Sequence, residues 1–391
     1  MDADAHLRPT GSGRRGLHLR LLAVSGVRRR AVLHAPGAIP LAHGSVRERP
    51  IRDDRITLVG GLTAAGYRTH GIGKCHAPKQ QMLGFQTREV QEEGSGGDDY
   101  QEYLRARDYR HVIEPFGVRG ELYYIPQVSQ LPPEDHPTAW VASRAIDFIE
   151  GDAGGSTGQG RDRGSGRGAE PWYLYASFVH PHPPFSPPVP WHKLYRASQM
   201  PLPRDPPDVD ALLTFVNHAQ NRYKYRDQGS DLNLVRAMRA HYYACISFID
   251  HEVGRIVESL ERTGQWQDTV VLLSADHGEH LGDYGCYGKR SMHDTAARVP
   301  MIVRWPGVLD GGERCDKPVS LVDIAPTLLA AGDGVIDSHQ MDGINMADIA
   351  TGRSDRELVF GQLSYHRWVR SAGATPAAAP AAAPAPPSAK R

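Results

Sequence analysis

The chain has 391 residues, enough to bury a large core as one or two α/β domains. Its 45 basic and 45 acidic residues balance, so no polyanion-binding surplus exists and no nucleic-acid partner is expected. No apolar run reaches the roughly 20 residues of a membrane span. Cys75, Cys245, Cys286 and Cys315 show no CxxC spacing, which argues against a zinc ribbon or disulfide framework and fits a reducing, cytoplasmic setting.

Residues 1–50 hold nine Arg, no Lys and no Phe, Tyr or Trp. They show neither strand alternation nor a sustained helical period, and the apolar patch from Leu17 to Val27 is broken by Arg20. The Arg28–Arg30 triplet reads as a solvated charge run. From Ile51 the text changes. Thr57 to Gly66 predicts a short helix ending at Gly, and Tyr67 to Ile72 a brief strand leading into GIGKCHAP. Residues 80–135 are polar and aromatic with weak periodicity. Pro137 to Glu150 predicts a helix with Trp140, Ala145, Ile146 and Ile149 near one face. Gly151 to Glu170 contains eight Gly and is expected to be a flexible surface insertion within one domain, because a strand, Trp172 to Val179, follows at once. The Pro-rich His180 to Pro188 blocks helix and ladder alike and is expected to be a rigid loop.

Leu234 to Leu260 is the clearest helix, with Met238, Tyr242, Cys245, Ile249, Val253, Ile256 and Leu260 at steps of three and four. The strand Thr269 to Leu273 follows, then a Gly-rich charged loop, then a β-like run from Arg298 to Trp305. Val319 to Ala331 begins strand-like and turns helical at Ile324. The alternation predicts an α/β fold, a mostly parallel sheet with helices on both faces. The last 21 residues hold ten Ala and five Pro, and a disordered or polyproline-like tail is expected from 366 on.

Chemistry concentrates after the strands. Asp276 and His277 end an apolar strand, where α/β enzymes place metal ligands and catalytic groups, and Gly278 permits close approach of a ligand. Asp with His suits a divalent cation; Asp favours Ca²⁺ or Mg²⁺, and His pulls toward Mn²⁺. Lys289 follows in the same loop. His180 and His182, flanked by Pro, are either a stiff platform for an acid or structural hydrogen-bond partners. Lys74 is one of only seven Lys against 38 Arg; it is either an ammonium aimed at a phosphate or sulfate oxygen or an ordinary exposed side chain. Cys75 and Cys286 are incidental neighbours.

Taken in order, GYRTHGIGKCH, SFVHPHPPFSPP, YYACISFIDHEVGRIVESL, SADHGEHLGDYGCYGKR, RVPMIVRWPG and VSLVDIAPTLL resemble the sulfatase family of the alkaline phosphatase superfamily. Coverage runs from about Ile51 to Gln362. The Asp-His form is similar to the branch holding choline-sulfatase-like enzymes and phosphonate monoester hydrolases. The resemblance implies an alkaline-phosphatase-like fold and hydrolysis of a small-molecule sulfate ester, or alternatively of a phosphonate or phosphodiester. It implies Asp276 and His277 as ligands of a divalent metal, Ca²⁺ first and Mn²⁺ or Mg²⁺ as alternatives. Lys74 and Lys289 would contact the ester oxygens, His182 would bond the leaving-group oxygen or act as its acid, and His76 would assist near the nucleophile.

Two family features are absent from residues 1–50 as read. No apolar strand ending in Asp is found there, and no Cys/Ser-x-Pro-x-Arg signature, the source of the formylglycine nucleophile, occurs anywhere in the chain. The expectation is therefore a catalytic domain over 51–365 lacking its first strand, nucleophile segment and C-terminal subdomain, with impaired activity, or else a non-enzymatic product. A one-nucleotide frame slip in a GC-rich gene would account for the Arg-rich N-terminus, and the tail after about Tyr365 is expected to share that origin.

Overall fold

A computed structural model describes residues 20–26, 57–77, 79–93, 97–154, 170–220, 231–334, 341–363 and 366–371. Six strands form the main sheet: β1 (Arg20–Gly26), β2 (Arg68–Gly73), β3 (Thr87–Val90), β4 (Trp172–Ser177), β5 (Thr269–Ala275) and β6 (Met301–Arg304). Their order is β3-β2-β4-β1-β5-β6, parallel throughout except for β6, which pairs antiparallel with β5. The helices are α1 (Leu58–Ala64), α2 (Asp99–Ala106), α3 (Pro137–Gly154), α4 (Val209–Leu212), α5 (Phe215–Gln220), α6 (Leu232–Arg262), α7 (Asp294–Ala297), α8 (Ile324–Ala331) and α9 (Met346–Ala350). A second, two-stranded antiparallel sheet pairs β7 (Leu358–Leu363) with β8 (His366–Ser371).

Strand β4 shows why both faces of the sheet are covered. All six of its residues are buried. Because side chains alternate, Tyr173 and Tyr175 join α1 and α8 residues such as Leu58, Leu62 and Leu328 in one core. Trp172, Leu174 and Ala176 join Trp140 and Val141 of α3 and Ile256 and Leu260 of α6 in the other. A parallel strand buried on both faces reads as a continuous apolar run rather than an alternating one. Local signals agree at the helix ends: Thr57 caps α1 by accepting from Gly60 N at 3.0 Å, and Asp231 caps α6 by accepting from Asn233 N at 2.8 Å. Among the described residues no helix is long and apolar enough to cross a membrane.

The structure corrects four expectations. The first strand is not missing: Arg20–Gly26 lies at the centre of the sheet, between β4 and β5, with Ser25 opposite both Ser177 and Ser274. Arg20 does not break it, because Arg20 opens the strand, opposite Thr269, with its guanidinium 3.9 Å from Asp268. Residues 80–135 contain β3 and α2, which weak periodicity hid. Val319 to Ser320 begins no strand; a 3-10 turn at Leu321–Asp323 precedes α8, because Asp323 accepts from Ser320 N at 2.7 Å and closes a capping box. Past the boundary drawn at 365, β8 continues a small sheet to Ser371. The glycine-rich insertion and the Ala/Pro tail fall largely outside the described residues, as do residues 27–56.

Candidate active site

The carboxyl ends of β2, β4 and β5 open on one cleft of about 330 Å³. Lys74, His180, His182, Asp276, His277 and Glu279 line it. Each follows its strand within a few residues, so the parallel sheet itself gathers them.

Lys74 is held by the end of β2. Gly73 has φ +89°, and a Cβ there would collide with the Ser177 carbonyl of β4, so only glycine lets the two strand ends approach. Lys74 N bonds that carbonyl at 3.4 Å. The side chain is 2% exposed, so Lys74 is not an ordinary surface lysine. Its Nζ donates to Glu93, which also receives Arg119 and lies 3.2 Å from His182 Nδ1. Glu93 and Arg119 were not singled out by sequence reasoning.

The HPHPP loop separates its two histidines. His180 turns inward, with Nε2 3.2 Å from Ser186 Oγ and its ring 4.8 Å from that of His136. Burial pushes its imidazole down to about 4, so it stays neutral, in keeping with the structural alternative. His182 instead faces Glu93, the carboxylate that also receives Lys74 and Arg119: its Nδ1 donates to Pro183 O at 2.9 Å, and its ring meets that of His277 edge-on at 6.1 Å.

After β5, His277 Nδ1 donates to Gly278 O at 2.7 Å, which leaves the lone pair on Nε2. That nitrogen lies 3.4 Å from Asp276 Oδ2 and accepts from Lys289 Nζ at 2.7 Å. Lys289 therefore reaches the site through His277. Gly278 is required for a different reason from the expected one. Its N bonds Ala296 O at 2.8 Å, and a Cβ would strike the Thr295 carbonyl, so the backbone of α7 is what approaches. Glu279 pins the loop: it accepts from Gly288 N at 2.5 Å, Leu281 N at 3.4 Å and Tyr124 Oη at 2.9 Å. Burial nevertheless pushes its carboxyl above the usual range.

His76 is not among the residues lining the cleft. It sits at φ +51° in the turn after Lys74, with Nδ1 3.9 Å from Glu92 Oε2. Glu92 fixes that turn by accepting from Cys75 N at 2.7 Å and Ala77 N at 3.3 Å. Burial raises the Glu92 carboxyl, while those amides and the charge of Lys74 pull it back. Cys75 and Cys286 are both buried, and burial pushes the Cys75 thiol up to about 12, which leaves it unreactive.

A Ca²⁺ ion takes six to eight oxygen ligands. Asp276 and His277 supply one carboxylate and one imidazole, and among the described residues no three His, Cys, Asp or Glu side chains converge as a metal cage. The neighbouring strand end adds no carboxylate: β1 closes on Ser25–Gly26, opposite Ser274–Ala275 and directly beside the Asp276 turn. The described residues thus do not fit a complete divalent site.

A parallel sheet between two helical layers, with an Asp–His pair and a buried lysine on its carboxyl edge, is an alkaline-phosphatase-like α/β fold. The sulfatase family profile matches residues 37–335, and the chain belongs to that family. An arylsulfatase of Clostridium perfringens is 27% identical over 353 residues, 79% of this chain and 65% of that protein. A choline-sulfatase of Rhizobium meliloti is 29% identical over 197 residues, 48% of this chain and 37% of that one. The chain thus spans less than two thirds of these relatives' length. A phosphonate monoester hydrolase of Agrobacterium radiobacter shares the fold at a TM-score of 0.69 and 21% identity, over 88% of this chain and 80% of that one.

Proposed function

We propose that the cleft binds the anionic head of a small-molecule sulfate monoester and that this chain hydrolyses it slowly or not at all. The observation that carries the reading is the asymmetry of the sheet edge. Lys74, His182, Asp276 and His277 converge on one cleft, with Lys289 behind His277. Between β4 and β5, by contrast, β1 ends on Ser25–Gly26. Lys74 is the cation for the ester oxygens and His182 the group beside the leaving oxygen; a buried ammonium in a sheltered cleft acts more strongly on an anion than one in water.

Asp276 and His277 are the donors with which a divalent ion, Ca²⁺ first and Mn²⁺ or Mg²⁺ next, would be held, and such an ion would polarise the ester. Two donors hold it weakly, so no hydrolytic step is assigned to it. Formylglycine needs the Cys/Ser-x-Pro-x-Arg signature, which the chain lacks. The four free cysteines support a cytoplasmic setting.

The test is hydrolysis of 4-nitrophenyl sulfate and a 4-nitrophenyl phosphonate monoester, each with and without Ca²⁺, Mn²⁺ or Mg²⁺. The expected rate is background in every arm. Robust metal-dependent sulfate turnover refutes the impaired state, and preferential phosphonate turnover moves the reading to that ester.

A further inference from the structure

Glu93 places a negative charge against Lys74, which lines the cleft, and against Arg119 beside it. Its carboxylate receives Lys74 Nζ and an Arg119 guanidinium nitrogen, and one oxygen lies 3.2 Å from His182 Nδ1. The side chains of Lys74, Glu93 and His182 are all at least nine-tenths buried. Lys74 and His182 line the cleft, so Glu93 is one bond behind its wall.

Each member is positioned by its own backbone. Gln91 N bonds Gly73 O at 3.3 Å, and Glu92 N bonds Asp98 Oδ2 at 2.8 Å. Together with the Glu92 bonds to the Cys75–Ala77 turn, these bring residues 91–93 beside Lys74 without help from Glu93's charge. Pro183 O holds His182 Nδ1 at 2.9 Å, and the close approach of Gly73 to Ser177 sets Lys74. What the Glu93 carboxylate adds to this arrangement is charge. With Lys74 buried and Arg119 35% exposed, one carboxylate set between the two cations cancels about half of the field felt by an incoming anion.

We infer that Glu93 sets the charge preference of the cleft, so that it favours singly charged esters, such as a sulfate monoester, over isosteric dianions such as a phosphate monoester. The inference rests on the sulfate-ester reading of the cleft and adds a residue that governs which anion is accepted. A seat with Lys74 and Arg119 fully exposed to the ligand would gain most from the second negative charge of a phosphate. A seat half-neutralised by Glu93 gains less from it, yet still charges the dianion its larger desolvation cost.

The test measures binding, because turnover is not required of it. Phenyl sulfate and phenyl phosphate are titrated calorimetrically at about pH 8, where the phosphate is a dianion, into the full chain and into its Glu93→Gln and Glu93→Asp variants. Glu93→Gln keeps the shape and removes the charge. It is expected to shift the affinity ratio toward phenyl phosphate by at least about tenfold, while Glu93→Asp keeps the wild-type ratio. An unchanged ratio in Glu93→Gln, or an equal weakening of both ligands, overturns the inference, because a purely positional role moves both alike. Should Glu93→Gln fail to fold, Arg119→Gln reads the same balance in reverse: phenyl phosphate must lose about tenfold more affinity than phenyl sulfate, and equal losses overturn the inference. If the wild-type chain binds neither ligand, the reading of the cleft fails and the charge preference with it. If it binds both and the ratio does not move, only the charge preference fails.

Discussion

Two stretches of one sheet edge carry very different chemistry. At the ends of β2, β4 and β5 the chain places a buried lysine, two histidines and an Asp–His pair around a single cleft. At the end of β1, which lies between β4 and β5, it places Ser25 and Gly26. The backbone is indifferent to this contrast: β1 pairs with both neighbours over its length. A strand is held by ladder hydrogen bonds and apolar flanks, whereas a site needs particular side chains at one or two positions beyond the last pair. The frame of a sulfatase-type sheet and its reactive edge are therefore separable, and substitutions can address each in turn.

The largest effect is expected from breaking the frame. Trp172→Ala removes a fully buried indole that also donates to Gln265 Oε1 at 3.1 Å. It should cost about 3–5 kcal/mol in urea denaturation; a loss below about 1 kcal/mol would show that β4 is not the shared wall of both cores.

Next comes the histidine on the packed side of the cleft. His180 has its imidazole pushed from 6.5 to about 4 by burial. A depressed pKa gives stability that is present above the unfolded value and lost as pH falls through the folded one. Stability should therefore drop between about pH 6.5 and pH 4, by roughly 2–4 kcal/mol from this group. His180→Gln should flatten that part of the pH profile, measured by denaturation at several pH values, and a profile of unchanged slope would assign the titration elsewhere.

Gly73→Ala tests the join between frame and edge. Its positive φ and the Ser177 carbonyl exclude a Cβ, so a loss of about 1–3 kcal/mol is expected together with displacement of Lys74. Full stability with weakened phenyl sulfate binding would place the constraint on the lysine alone.

The smallest effect comes from filling the bare stretch. Ser25→Asp puts a carboxylate opposite Ser274, two residues before Asp276 in register. Calorimetric Ca²⁺ affinity should rise on the order of tenfold. No change would mean that the end of β1 does not face the Asp276–His277 pair.

Much of the fold was legible beforehand. Strands β2, β4 and β5 and helices α1, α3 and α6 follow from apolar runs, helix-end signals and helical spacing, and Asp276 and His277 from their place after a strand, whereas Lys74 and His182 are singled out from their open alternatives only by the family resemblance. Two parts were not legible. β1 is a short apolar run among arginines, and its place in the sheet comes from parallel pairing with β4 and β5, which are distant in sequence. Glu93 and Arg119 sit in a polar stretch of weak period, and nothing local distinguishes them from solvated charges.

The sequence by itself determined which segments fold into elements, because helix period, capping and apolar runs are local, and it determined that reactive side chains follow the strands. Only the tertiary structure decided that Arg20–Gly26 completes the sheet, that His180 packs inward on Ser186 while His182 meets Glu93, and that Glu93, 19 residues from Lys74 and 26 from Arg119, pairs with both. The physical reason is range. Backbone propensity acts over a few residues, whereas strand order and buried charge pairing exist only once distant segments have been brought into contact.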